Sequence, residues 1–223
     1  MPDVEFPANG STATGYLATP DSGGPGVVVL QEWWGLEDHI RGICDRLAGE
    51  GFVALAPDLF HGETTDQPSE AEQKMMAMNI AEAEAEMRGA VDHVAGLDAT
   101  RGDGVGTVGF CLGGGLSLWA AAGNPRVRGA VTYYYVMPHG KPDFTAIQAP
   151  VLGHFGTQDE FVPVDDAKAL EQELKDAGVE TTFDFYDAGH AFFNDTDRLG
   201  TYDRENAERS WQRTTEFLRG ALG

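Results

Sequence analysis

Short apolar runs alternate along this chain with stretches in which apolar residues return every three or four positions, the patterns of buried strands and of amphipathic helices. Gly26-Val27-Val28-Val29-Leu30 follows a Gly/Pro turn and is rich in β-branched residues, which predicts a buried strand. Leu36, Ile40, Ile43, Leu47 and Ala48 then share one helical face, with Gly49 and Gly51 as the stop. Phe52-Val53-Ala54-Leu55-Ala56 is a second buried strand, ended by Pro57. Residues 69–97, rich in Ala, Glu and Met, predict a long helix started by Pro68 and Ser69, with Gly89 as a candidate interruption.

The alternation continues with a strand at 105–110, a helix at 112–122 and a strand at 127–135. A strand at 151–155, a helix at 165–177, a strand at 181–186 and a closing amphipathic helix at 204–222 complete it. Such regularity predicts an α/β fold with a mostly parallel central sheet and helices on both faces. The polar stretches 60–68 and 138–149 read as loops over this scaffold. No internal repeat or linker divides the sequence, so residues 1–223 are expected to form a single domain.

Length and composition fit that expectation. The chain has 223 residues, 42% of them hydrophobic and 10% aromatic, enough for a full core without metal or disulfide staples. No apolar run approaches the length of a membrane span, and the start MPDVEFPANG lacks the character of a signal peptide. The two cysteines, Cys44 and Cys111, are too sparse for a disulfide framework. A cytoplasmic protein with free thiols is expected, acting as a monomer.

Charge changes the picture more. Against 36 acidic residues stand 15 basic ones, a formal net charge of -21, and such a surface repels nucleic acid and acidic lipid. Neither is an expected partner. Four of the cations are lysines (Lys74, Lys141, Lys168 and Lys175), and an acidic, lysine-poor surface suits high salt, where self-repulsion is screened.

The sharpest chemical signal is Gly109-Phe110-Cys111-Leu112-Gly113, where a predicted strand runs straight into a predicted helix. A turn this tight leaves no room for side chains two residues either side, and it raises the central residue clear of the sheet as a nucleophile elbow. A cysteine there also feels the positive end of the helix dipole, which favours thiolate near neutral pH. Taken alone, the pattern serves equally as a tight turn around a small buried cysteine.

Two later features shift that balance. A nucleophile elbow calls for an acid and then a histidine, each after a later strand. Asp159, in Gly156-Thr157-Gln158-Asp159, follows the 151–155 strand, and His190, in Asp187-Ala188-Gly189-His190, follows the 181–186 strand. All three loops then emerge at the carboxyl edge of a parallel sheet. Glu160 is a second choice for the acid. His154 lies within a strand and reads as packed core; His39, His61 and His93 fall on helices or early loops; His139 is placed to line a pocket but precedes the acid.

Other chemistries fit less well. Gly104, Gly106 and Gly109 match a dinucleotide fingerprint formally, yet they do not follow a strand and open a helix as that fingerprint requires. No His/Cys/carboxylate group shows metal-ligand spacing, so neither a metal nor another cofactor is expected. Cys44 lies on the apolar face of its helix and reads as core packing.

Gln31-Glu32-Trp33-Trp34-Gly35, Pro57-Asp58-Leu59, Gly109-Phe110-Cys111-Leu112-Gly113-Gly114, Asp159 and Ala188-Gly189-His190 occur in this order, and with them nearly the whole chain resembles the dienelactone hydrolase family. The resemblance implies an α/β-hydrolase fold and a carboxylic ester or lactone hydrolase acting through a Cys-His-Asp triad and a thioester. It makes Cys111 the nucleophile, His190 the base and Asp159 the residue that orients the imidazole. Glu32 matches a glutamate that contacts the resting thiol and helps generate thiolate when substrate arrives; by position alone it could cap the following helix. The backbone N–H groups of Trp33 and Leu112 match the oxyanion hole. Trp34, Tyr134 and Phe192 are candidate pocket-lining aromatics, and the expected partner is a small ester or lactone.

One departure bears on the substrate. The family holds a substrate carboxylate with two arginines, whereas here Asn194 and, by ungapped count, Ser69 stand at those positions, leaving Arg198 or Arg41 as substitutes. A charge-assisted clamp is thereby missing. The alternative from another class is a non-catalytic thiol redox sensor or small-molecule binding protein on the same fold.

The charge pattern carries its own test. If the surface is adapted to high salt, the thermal midpoint rises between low and molar salt as repulsion is screened; a midpoint that stays level or falls removes that reading.

Overall fold

In strand β3 (Gly24–Leu30) Val27 and Val29 project into one apolar cluster and Val28 and Leu30 into another, all four fully buried. A strand that alternates between two apolar layers must be covered on both faces. The computed structural model describes residues 3–223 and shows how that cover is built. Strands β1 (Asp3–Ala8), β2 (Ser11–Ala18), β4 (Val53–Pro57), β5 (Thr100–Phe110), β6 (Val127–Tyr133), β7 (Val151–Gly156) and β8 (Thr181–Tyr186) join β3 in an eight-stranded sheet ordered β1-β2-β4-β3-β5-β6-β7-β8. Pairing is parallel from β4 to β8 and antiparallel at β1–β2 and β2–β4.

Helices α1 (Asp38–Gly49) and α6 (Arg204–Leu222) cover one face, contributing Ile40, Ile43, Leu47, Trp211 and Leu218 to the cluster shared with Val27 and Val29. Helices α3 (Ile80–Gly96), α4 (Leu112–Gly123) and α5 (Val164–Asp176) cover the other, with Met87, Leu116 and Leu170 among the residues packed beside Val28 and Leu30. Helix α2 (Pro68–Ala77) adds Met75 to that layer. The expected mostly parallel sheet with helices on both faces is therefore present. No helix among the described residues is long and apolar enough to cross a membrane.

Three elements differ from the sequence pattern. The β1–β2 hairpin was not expected; its turn, Asn9-Gly10, has φ of 47° and 93°, the twist-matched geometry that Asn-Gly adopts readily. The long helix at 69–97 is two helices, and the break falls at Met78–Asn79 rather than at Gly89. Asn79 ends the run because its side chain accepts from the N–H groups of Ala81 and Glu82, a better cap for a new helix than a continuation of the old one. The third is a short 3₁₀ turn, Phe144–Ala146, in the loop at 138–149, capped by Asp143.

Gly89 has a different task. A Cβ on it would stand 2.4 Å from the carbonyl oxygen of Pro7, so its lack of a side chain lets α3 lie directly on β1. The strand order also places the site. The chain moves outward from β3 through α1 to β4 and then returns to lay β5 on the other side of β3, and the carboxyl ends of β3 and β5 flank the crevice where this reversal occurs.

Gly89→Ala separates intrinsic helix propensity from packing. Alanine favours a helix interior by about 1 kcal/mol, yet here it must push the β1 backbone away. We expect a lower urea midpoint for the variant, by about 1–3 kcal/mol of stability; a midpoint at or above that of the parent would show that β1 yields freely.

Candidate active site

Cys111 joins β5 to α4 with φ 55° and ψ -115°, a conformation that L-residues adopt only under constraint. The constraint comes from both sides. A Cβ on Gly109 would lie 1.8 Å from the Gly113 carbonyl oxygen, and one on Gly113 would lie 2.1 Å from that of Leu30. Backbone hydrogen bonds fix the bend, with Cys111 N–H donating to Tyr133 (3.1 Å) and Val136 N–H donating to the Cys111 carbonyl (3.0 Å). The sulfur is thus held above the carboxyl edge of the sheet, beside the segment that follows β3.

Asp159 and His190 meet in the loops after β7 and β8. Asp159 Oδ1 accepts from the N–H groups of Phe161 and Val162, both at 2.8 Å, and Oδ2 accepts from His190 Nδ1 at 2.8 Å. The carboxylate is satisfied on both oxygens, and its claim on Nδ1–H leaves Nε2 free as a base. The imidazole lies between two rings, 4.9 Å from Tyr134 and 4.8 Å from Phe161 between centroids. Both residues are buried.

Glu32 follows β3 and is 1% exposed. Its Oε1 accepts from the Tyr134 hydroxyl at 3.2 Å and its Oε2 from the Asn194 amide. Its pKa is raised to about 7, chiefly by burial and then by the charge of Glu37, against the lowering pull of the Asn194 and Tyr134 hydrogen bonds and of Arg198. Burial also pushes the Cys111 thiol well up, and the Glu32 charge adds to this. The backbone N–H groups of Leu112 and Trp33 work in the opposite direction, favouring thiolate without prevailing.

Burial thus works against the helix terminus, which by itself favours thiolate. Desolvation outweighs a few oriented N–H groups. The two pairings also remain separate at rest: Asp159 binds His190, Cys111 feels Glu32, and among the hydrogen bonds of the described residues none joins Cys111 to His190.

The remaining sequence candidates take varied places. Trp34 is 2% exposed with the Arg198 guanidinium 5.0 Å over its ring, and Arg198 is paired with Glu37 at 2.6 Å. Tyr134 is buried against Glu32 and His190. Phe192 is fully buried in the core between Tyr134 (5.7 Å) and Tyr186 (5.1 Å), because the aromatic layer under the sheet edge closes around it. Arg41 pairs with Asp3 and lies over Tyr16, and Ser69 is exposed on α2. His154 is buried with Nδ1 2.9 Å from the Tyr186 hydroxyl and Nε2 3.0 Å from Thr214 Oγ1, and burial lowers its pKa to about 3. His139 bonds the Met75 carbonyl at 2.7 Å. Gly104, Gly106 and Gly109 all lie within β5, so they form no phosphate loop. Cys44 is buried in the core, its thiol raised by that burial.

Three features escaped the sequence reading. Asn194 was noted as a missing arginine, not as a donor to Glu32. Phe161 is 58% exposed, packs edge-on to Trp33 at 6.3 Å and lines two clefts. One, of about 500 Å³, includes His190, Gly189 and Thr201; the other, of about 490 Å³, includes Tyr135, Met137 and Leu170. Its only signal was its place next to the acid loop. The third is a cluster of His61, Glu82 and Glu86, whose ligand atoms lie within 4.8 Å of one another. The sequence hid this group because His61 comes from the loop after β4 and only the two glutamates share a helix.

Comparison with known proteins places these features in context. The model of the dienelactone hydrolase family matches residues 13–222. "Protein usf" of Aquifex pyrophilus is 37% identical over 227 residues, covering 98% of each chain. A protein of Aquifex aeolicus (strain VF5) named "Putative carboxymethylenebutenolidase" is 36% identical over 231 residues, again covering 98% of each. The crystal structure named "Putative Dienelactone Hydrolase" from Klebsiella pneumoniae subsp. pneumoniae MGH 78578 is 29% identical with a TM-score of 0.87, covering 98% of this chain and 97% of the other.

The raised Glu32 carboxyl has a consequence for stability. The unfolded chain ionises Glu32 near its ordinary 4.5 and the folded chain near 7, so the folded state holds more protons between these values and stability falls as pH rises through them. Glu32→Gln removes that loss: near about pH 8 the variant gains up to roughly 3 kcal/mol over the parent, less what the altered hydrogen bonds cost. The advantage shrinks towards about pH 5, where the parent carboxyl is protonated. Denaturant midpoints of both proteins across this range check it, and a parental advantage that widens with pH would contradict it.

Proposed function

Because the chain belongs to the dienelactone hydrolase family, we propose that it hydrolyses carboxylic esters or lactones through a thioester on Cys111. The observation that carries this reading is the pairing of a cysteine on a glycine-walled bend with a buried Asp159–His190 couple at the same sheet edge. Substrate entering beside Phe161 meets the sulfur at its acyl carbon. The thiol proton passes to Glu32, which accepts it more readily for being held near 7. The N–H groups of Trp33 and Leu112, which already favour negative charge on the sulfur, are placed to hold the tetrahedral oxyanion, a kind of contact worth about 3 kcal/mol per donor.

Collapse of the intermediate breaks the C–O bond, and the departing alkoxide or enolate takes up the proton that Glu32 received from the thiol. For a lactone the leaving oxygen stays attached to the acyl chain. His190 Nε2 then removes a proton from water, the hydroxide attacks the thioester, the C–S bond breaks to release the acid, and the imidazolium proton returns to the departing thiolate. Asp159 keeps the imidazole in the tautomer this step needs. Thiolate is itself a good leaving group, so esters and lactones with stabilised leaving groups are favoured over amides.

The environment bears on substrate charge. Asn194 is neutral and engaged with Glu32, Arg198 is tied to Glu37, and the surface is strongly acidic. Small neutral esters or lactones fit this setting better than dianionic ones. Two free, buried cysteines are compatible with a reducing compartment such as the cytoplasm. The redox-sensor alternative requires an exposed, low-pKa thiol, whereas Cys111 is 6% exposed and its pKa is raised.

Cys111→Ala and Cys44→Ala separate these readings. With an activated neutral ester, Cys111→Ala is expected to lose at least about a thousandfold in turnover, while Cys44→Ala keeps most of it. Mass spectrometry of the parent should catch an acyl group on Cys111 that turns over. Equal activity in both variants, or a stable adduct without turnover, would refute the proposal.

A further inference from the structure

A second cluster of chemistry-bearing side chains lies apart from Cys111, His190 and Asp159. Glu82 and Glu86 are four residues apart on α3 and so share a face, and His61 reaches them from the loop after β4. His61 has φ 54°, and its turn is held by Asp58, whose Oδ2 accepts from Gly62 N–H at 2.6 Å and whose Oδ1 accepts from Phe60 N–H at 3.2 Å. His61 Nε2 stands 2.8 Å from Glu86 Oε1. All three residues line a cleft of about 290 Å³.

An ion pair explains the first oxygen of Glu86 but not the second. Glu86 is 6% exposed, and its Oε2 is buried with no hydrogen-bond partner, a state that ordinarily carries a substantial desolvation penalty. Solvated surface carboxylates do not show this. Glu86 lines the cleft together with an imidazole and a second carboxylate, and its second oxygen lacks the partner that a cation would supply.

We propose that His61, Glu82 and Glu86 bind a divalent transition-metal ion of the zinc, cobalt or manganese kind. One imidazole nitrogen and two carboxylates suit these ions in charge and donor type, whereas calcium and magnesium prefer oxygen alone. The donors lie within 4.8 Å of one another, so small rotations of the exposed His61 and Glu82 side chains bring them to bonding distance, with solvent completing the shell. The ion would tie the loop after β4 to α3. That loop also abuts the Trp34 segment, since Thr65 N–H donates to the Trp34 carbonyl at 3.1 Å; the role proposed for the ion is to brace this loop, with no part in the chemical steps.

Cobalt(II) is a suitable probe, titrated into chelator-treated protein carrying Cys111→Ala so that the thiol cannot compete. One equivalent should bind with visible ligand-field bands, raise the thermal midpoint and be displaced by zinc. Binding should weaken at least about tenfold in His61→Ala and in Glu86→Gln. It should persist in Glu84→Gln, which alters an acidic residue of the same helix paired with Arg88. His61 is exposed at the surface with a left-handed backbone that asparagine tolerates, so His61→Asn, which should weaken binding likewise, keeps the test open where His61→Ala or Glu86→Gln does not fold. Absence of stoichiometric binding, or equal binding in the His61 and Glu84 variants, would show only diffuse attraction to an acidic surface and overturn the site.

Discussion

The bend at Cys111 is the constraint on which the rest of the site rests. Its backbone occupies a region that costs on the order of 1–3 kcal/mol, and it persists because everything around it leaves no alternative. Gly113 backs onto Leu30 and Gly109 onto Gly113, each with space for a hydrogen and none for a methyl group. Those contacts in turn need β3 and β5 to be neighbours in fixed register, with Leu30 opposite Gly109. The buried alternation of β3 supplies that register, because a slip of one residue would exchange its two apolar layers. Packing of the sheet and the angle at which a sulfur is presented are thus one problem.

Around that bend the two carboxyl groups are treated in opposite ways. Asp159 receives a ring N–H and two backbone N–H groups, a full set of donors that suits an ionised carboxylate. Glu32 receives two uncharged donors in a site that excludes water almost completely. The difference lies in what each loop provides: the turn after β7 folds its own backbone around the acid, while Glu32, in the segment after β3, depends on Tyr134 just after β6 and on Asn194 in the loop after His190. Environments that separate a pair of carboxyl groups in this way assign them different work.

Much of this was legible in the residues because the signals were local and steric. Apolar alternation marked β3 to β8, and the glycines flanking Cys111 announced a turn that admits nothing larger. Asp159 and His190 could be placed by chain order, since parallel strands deliver their loops to one edge. What escaped had other causes. The Asn9-Gly10 turn was visible and Val4, Phe6 and Ala8 alternate, but that run is short and holds Pro7, and β2 buries small residues such as Ala13 and Ala18 that mark a strand weakly. Asn79 competed with a helix-forming composition on both sides and prevailed by capping. The resting protonation of Cys111 depends on how deeply the sulfur is buried, which no motif encodes, and the His61 cluster depends on a loop crossing back over α3.

Asn194 ties these threads to substrate charge. A cation in its place would stabilise ionised Glu32 and, by the same field, welcome an anionic ligand. An amide does neither strongly: it donates a hydrogen bond while adding no charge, so Glu32 stays near the pH at which it can give or take a proton. The nearest guanidinium, Arg198, is spent on Glu37 and on the face of Trp34. With a net charge of -21 behind it, the site would have to bind an anion against both the local and the global field. In the proposed mechanism, proton sharing between Cys111 and Glu32 and preference for uncharged substrate would thus both follow from one neutral side chain standing where charge compensation would otherwise be.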